Sequence, residues 1–124
     1  MRQLKFRAWD KTRLIMHKTS TFREICEGGL DDLRSFEEFE FLQFTGLLDK
    51  SGKEIYEGDI LEFSRYWSDH FGRDYSQVIF LEENAQFVFN HSTVGTPQDL
   101  GMINKEAKVI GNIYETPELL TTPK

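Results

Sequence analysis

The chain has a single cysteine, Cys26, among 124 residues. One thiol cannot close an internal disulfide, so the fold rests on packing and hydrogen bonding, and a reducing compartment suits it. No apolar run approaches the ~20 residues that a membrane-spanning helix needs. The opening Met1-Arg2-Gln3-Leu4-Lys5 lacks the apolar stretch of a secretory signal. The expectation is therefore a soluble protein of the cytoplasm with no membrane partner. Proline and methionine are scarce, at three each, whereas phenylalanine occurs eleven times. A core built from rings follows. At this length one domain, residues 1–124, is expected to bury a single core without staples.

Catalytic patterns are also missing. No Gly-x-Ser-x-Gly elbow occurs, and Gly28-Gly29 is not followed by the Gly-Lys-Ser/Thr of a phosphate-binding loop. His17, His70 and His91 stand far apart without metal-ligand spacing. Cys26 falls at helical spacing from Phe22 and reads as core rather than as a nucleophile. No cofactor, metal, small-molecule substrate or catalytic residue is inferred, and the expectation is a protein that is not an enzyme. An enzyme assembled from distant groups such as His70, His91 and Asp99 has only their presence in its favour.

Charge is abundant and unevenly spread. Residues 1–23 carry seven basic groups and one acid, and residues 24–62 carry three basic groups and twelve acids. Two segments of opposite sign are expected to fold against each other and offset their charges. Local exposure of Arg2, Lys5, Arg7, Lys11, Arg13 and Lys18 is instead what a nucleic-acid backbone would use.

The hydrophobic pattern is that of short strands. Leu4, Phe6 and Ala8 alternate with basic residues as in a half-buried strand, and with Leu14-Ile15-Met16 they predict an N-terminal hairpin. Phe22, Ile25 and Cys26, then Leu30, Leu33 and Phe36, predict one or two short helices within residues 19–38. From Phe39 the texture is β. Phe39, Phe41 and Gln43 share one strand face, and strands follow at Ile60–Phe63, Gln77–Leu81, Gln86–Phe89 and Lys108–Tyr114. Gly46, Gly52 and Gly58 punctuate strands, and Asp49 and Asp59 anchor turns by accepting from backbone amides. Gly111 inside the last strand predicts a bulge or a close backbone approach. The predicted architecture is mainly β: a small, strongly bent barrel or sandwich of SH3-like character over about 39–120. The hairpin and helical segment of 1–38 pack on it.

Three phrases carry a resemblance. These are Lys5-Phe6-Arg7-Ala8-Trp9-Asp10-Lys11, the run from Gln43 to Leu61, and Val109-Ile110-Gly111-Asn112-Ile113-Tyr114-Glu115-Thr116-Pro117-Glu118-Leu119-Leu120. In order and spacing they resemble the YopX family of bacteriophage and prophage proteins and bracket nearly the whole chain. The resemblance implies a phage-derived intracellular protein with a β-rich fold. It brings no activity to any residue.

One segment departs from strand texture. Residues 65–75 gather Arg65, Tyr66, Trp67, His70, Phe71, Arg73 and Tyr75, the residue types enriched in binding hot spots and suited to stacking on unpaired bases. The expected function is a non-catalytic module that binds a protein partner or self-associates. The alternative is a nucleic-acid-binding accessory protein using the basic segment and the 65–75 loop.

Overall fold

The computed structural model describes residues 4–18, 39–64, 73–90 and 97–121. The helices expected within 19–38, with Cys26, lie outside these residues, as do Arg2, His91 and residues 65–72 of the aromatic segment. Ten strands run along the described chain: β1 (Phe6–Asp10), β2 (Ile15–Lys18), β3 (Phe39–Leu48), β4 (Glu54–Tyr56), β5 (Asp59–Ser64), β6 (Arg73–Gln77), β7 (Ile79–Leu81), β8 (Gln86–Asn90), β9 (Pro97–Asp99) and β10 (Lys108–Asn112). A 3-10 turn at Leu100–Met102 follows β9, and one short helix, α1 (Glu118–Thr121), follows β10. The expected mainly β architecture is what is seen, with a strongly curled, half-barrel sheet.

The strands form a four-stranded sheet in the order β2-β1-β3-β4 and two three-stranded sheets, β10-β5-β6 and β7-β8-β9. All neighbours are antiparallel. The predicted N-terminal hairpin is β1–β2, with Trp9 opposite Met16. The Glu82–Ala85 turn joins β7 to β8 as the sequence suggests.

Tight turns knit the sheets together. The N–H of Gly58 donates to Val78 and its carbonyl accepts from Ile113, both at 2.9 Å, while Val78 donates to Asp59 at 2.8 Å. Gly58 therefore touches β5, the β6–β7 corner and the end of β10 at once. Its φ of +88° is open to glycine at little cost. Ile55, Leu61, Phe63, Val78, Phe87, Phe89, Leu100, Ile103, Ala107 and Val109 make the core inside these sheets. Phe63 and Phe89 meet edge to face at 5.3 Å, but the other members apart from Phe87 are aliphatic, so the core is not dominated by rings as the phenylalanine count suggests.

Three further expectations need correction. Gly46 does not separate strands; it lies inside β3 with φ +88°, where the register to β4 shifts between Phe44 and Leu48. A residue free to take positive φ lets one long strand bend instead of stopping. Residues 73–75 are not loop: Arg73, Asp74 and Tyr75 pair with Ser64, Phe63 and Glu62 in β6. The buried positions of β6 are Asp74 and Ser76. Polar side chains at the inward positions hide the alternation that marks a strand. Finally, the basic residue of β1, Arg7, does not lie on a wet face. Arg7 and Trp9 are covered, as is Ala8, while Leu4 is 54% exposed.

Candidate binding cleft

An open cleft of about 570 Å³ separates two sheet margins. Lys5 and Arg7 of the first hairpin and Met16 from β2 contribute one side. Lys53, Glu54 and Tyr56 enter from β4 and its approach, with Asp59 at the start of β5. Val109, Ile110, Gly111 and Asn112 of β10, then Glu115, complete the lining. The cleft lies between β4 and β10, the outer strands of two different sheets.

Its floor is an ion pair between Arg7 and Asp59, 52 residues apart in sequence. The Asp59 carboxylate is almost fully buried, with Oδ2 accepting from the Tyr56 N–H at 2.8 Å and Oδ1 accepting from Arg7. The amide contact is the turn-anchoring role expected of Asp59; the arginine is an addition. The Arg7 guanidinium also sits over the Tyr56 ring, 4.8 Å from its centroid, in cation–π geometry. Burial pushes the Asp59 pKa above its ordinary value, against the pull of Arg7. The pair thus does not repay the cost of taking the carboxylate out of water. Among the described residues the buried Arg7 Nε meets no hydrogen-bond partner, and a buried donor left so costs about 1–3 kcal/mol.

A second pair lies beside it. Lys5 donates to Glu54 Oε2 and stands 5.4 Å from the Phe44 ring centroid. The Tyr56 hydroxyl donates to Glu54 Oε1 at 3.3 Å. Burial, then the Glu54 charge, push the Tyr56 phenol up to about 12. Both pairs join the basic first segment to the acidic middle one, as the charge distribution suggests.

Turn chemistry holds the opposite wall. Asp49 accepts from Ser51 at 2.8 Å, Lys53 at 2.9 Å and, across the fold, Val109 of β10 at 2.9 Å. Burial pushes its pKa up, but those three amides and the Lys53 charge outweigh it and hold the carboxyl below its ordinary value. Asn112 ends β10 by accepting from Tyr114 and Glu115 through Oδ1, while its Nδ2 donates to Glu115 Oε1 at 2.7 Å. Gly111 shows both features predicted for it. The register slips between Val109 and Gly111, and a Cβ at Gly111 would overlap the Thr116 hydroxyl. Gly52 closes the Asp49 turn with φ +85°.

Of the sequence-predicted binding residues, Lys5 and Arg7 enter this cleft. Lys11 and Arg13 sit on the exposed β1–β2 turn, and Lys18 ends β2. That turn is held by Asp10, which accepts from Thr12 and Arg13 at 3.0 and 2.9 Å. Arg65, Tyr66, Trp67, His70 and Phe71 fall outside the described residues, while Arg73 and Tyr75 are in β6. Asp99 is exposed on β9 and accepts from Gln86 at 3.2 Å. Lys53, Glu54, Tyr56 and Asn112 are cleft residues that the sequence reading missed as a site. The alternation of opposite charge at Lys53-Glu54 beside a tyrosine was the available signal. Among the described residues no three His, Cys, Asp or Glu side chains are grouped to hold a metal. None of their helices is long and apolar enough to cross a membrane.

The family model for the YopX protein matches residues 5–121, nearly the whole chain. The chain belongs to the YopX family. Both walls of the cleft, from Lys5 to Glu115, fall within the matched span. Among solved structures, this YopX-family chain is similar to protein EF1440 from Enterococcus faecalis. The TM-score is 0.63 at 23% identity, over 94% of this chain and 97% of that one. That likeness speaks for the fold. No curated protein matches the sequence.

Proposed function

We propose that this YopX-family chain is a non-catalytic binding module of phage or prophage origin, acting in the bacterial cytoplasm through protein contacts, self-association among them. The observation that carries the reading is the commitment of the two carboxylates nearest Lys5 and Arg7. Both oxygens of Glu54 and both of Asp59 are already engaged by protein donors. General acid–base work needs a carboxyl group positioned to exchange a proton with substrate. Acids tied up in this way shape and orient a surface instead. The nucleic-acid alternative is weakened by the same geometry, because Lys5 and Arg7 spend their charge on Glu54 and Asp59.

Light scattering across a concentration range tests self-association, and affinity capture from a bacterial lysate tests for a partner. A mass above the monomer, or a partner recovered in stoichiometric amount, supports the reading. A strict monomer that captures nothing, or one that turns over a substrate through the cleft, refutes it. Tyr66→Ala and Trp67→Ala, set beside Lys53→Glu, tell which face carries the contact. Binding to single- or double-stranded DNA that falls steeply with salt moves the assignment to nucleic acid.

A further inference from the structure

The turn between β1 and β2 is firmly held, yet apolar at its apex. The buried Asp10 carboxylate accepts from the Thr12 and Arg13 amides at 3.0 and 2.9 Å, and the Asp10 carbonyl accepts from Leu14 at 2.8 Å. Leu14 has φ +59°, the left-handed region where a Cβ is strained and glycine or asparagine is preferred. Its side chain is 67% exposed, and Ile15 after it is 48% exposed. The strain is not repaid by packing within the fold, which points to a use outside it. Lys11 and Arg13 flank the apex and are exposed. Among the described residues neither forms an ion pair, although the Arg13 charge is felt at Asp10.

A surface of opposite character stands on β3 and the β4–β5 turn. Glu40 is exposed on β3 opposite Trp9 and forms no ion pair among the described residues. Burial holds the half-buried Glu57 carboxyl above its ordinary range, and the Glu40 charge adds to this against the pull of the Gln43 amide. The two carboxylates are thus close enough to repel. Both charges also reach Tyr114, whose half-buried ring packs on Trp9 with centroids 5.5 Å apart. Arg7, whose charge reaches Tyr114 as well, is committed to Asp59. Two acids beside a ring match two cations beside a leucine.

We infer that the β1–β2 tip of one chain docks on the Glu40, Glu57 and Tyr114 surface of a second copy, with Lys11 and Arg13 meeting the carboxylates and Leu14 lying against the ring. The inference rests on the protein-binding reading and names its surface and its partner. An anionic membrane or a nucleic-acid backbone would meet the same cations, but Glu40, one residue pair from the turn, and Glu57 beside it would repel its phosphates. Because the tip and its receiving surface differ, the contact is head to tail, and copies join into a ring or a filament.

Sedimentation velocity of the intact chain over a concentration range tests it. Leu14→Asn suits the left-handed backbone, so it should keep or raise the melting temperature at dilutions where wild type is monomeric, and weaken association by about tenfold or more. Lys11→Glu with Arg13→Glu in one chain, and Glu40→Lys in another, should each weaken association by about tenfold or more. Mixed together, the two should form a one-to-one complex at wild-type affinity, because the intact tip of one meets the intact acids of the other. A mixture that stays monomeric overturns the inference, as does a Leu14→Asn chain that melts earlier, since Leu14 then serves the fold. If the variants associate as wild type does, or if wild type is monomeric but captures a partner from lysate, this inference fails and the binding reading stands. A strict monomer that captures nothing sinks both.

Discussion

Removing either half of the Arg7–Asp59 pair should cost more than removing both. Taking one partner from a fully buried ion pair typically costs about 3–5 kcal/mol, because the other charge is left stranded. In Asp59→Asn the stranded charge is Arg7, whose side chain is 14% exposed and recovers some hydration. The new amide oxygen can still accept from Tyr56. We expect a loss of about 2 kcal/mol. In Arg7→Met the stranded charge is the Asp59 carboxylate, only 1% exposed, and the loss at neutral pH should be larger, about 3 kcal/mol. The double variant should fall within about 1 kcal/mol of wild type, since the buried charge is gone and the Tyr56 amide keeps its acceptor. The pH dependence has a definite sign. The folded pKa of Asp59 is raised by burial, so its contribution is fully present at low pH and is lost as pH rises from the unfolded value of 3.8 through the folded one. Without Arg7 the folded pKa rises further. Arg7→Met should therefore lose stability over a wider range of rising pH than wild type, and Asp59→Asn should lack that component. Urea unfolding at a series of pH values, with constant m-values, provides the measurement. Single losses that add within about 0.5 kcal/mol in the double variant would refute the reasoning.

Other perturbations probe the walls. Gly111→Ala drives a Cβ into the Thr116 hydroxyl and to 3.0 Å from Leu119, and should destabilise by about 2–3 kcal/mol in chemical unfolding, with partial relief in a Thr116→Ala background. Asp49→Ala strands three amides, including Val109 of β10, and should lose about 3 kcal/mol, with Asp49→Asn intermediate. Because the Asp49 pKa is lowered on folding, its contribution is present above the unfolded value and lost as pH falls through the folded one, so Asp49→Asn should flatten the acid limb of the stability profile. In ultraviolet titration of the folded protein one tyrosine should ionise near pH 12, and Tyr56→Phe should abolish that step.

Local chemistry was the legible part of the sequence. The N-terminal hairpin, the Glu82–Ala85 turn, the anchoring roles of Asp49 and Asp59 and the bulge at Gly111 each follow from a few neighbouring residues. Strands with polar inward positions were not legible, as Asp74 and Ser76 in β6 illustrate. A glycine inside a strand reads the same as a glycine between strands, which is why Gly46 misleads. The cleft was illegible for a different reason. Its floor joins residues 52 positions apart, and no local pattern says which acid of the middle segment meets Arg7. Opposite charge in the two segments foretold pairing in general, whereas the partners are fixed by the β1–β3 register and the Gly58 turn.

Light scattering of the intact chain across a concentration range, read beside affinity capture from a bacterial lysate with the same sample, tests the central claim most directly. The account predicts a mass above the monomer or a protein recovered in stoichiometric amount. A strict monomer that captures nothing would contradict it.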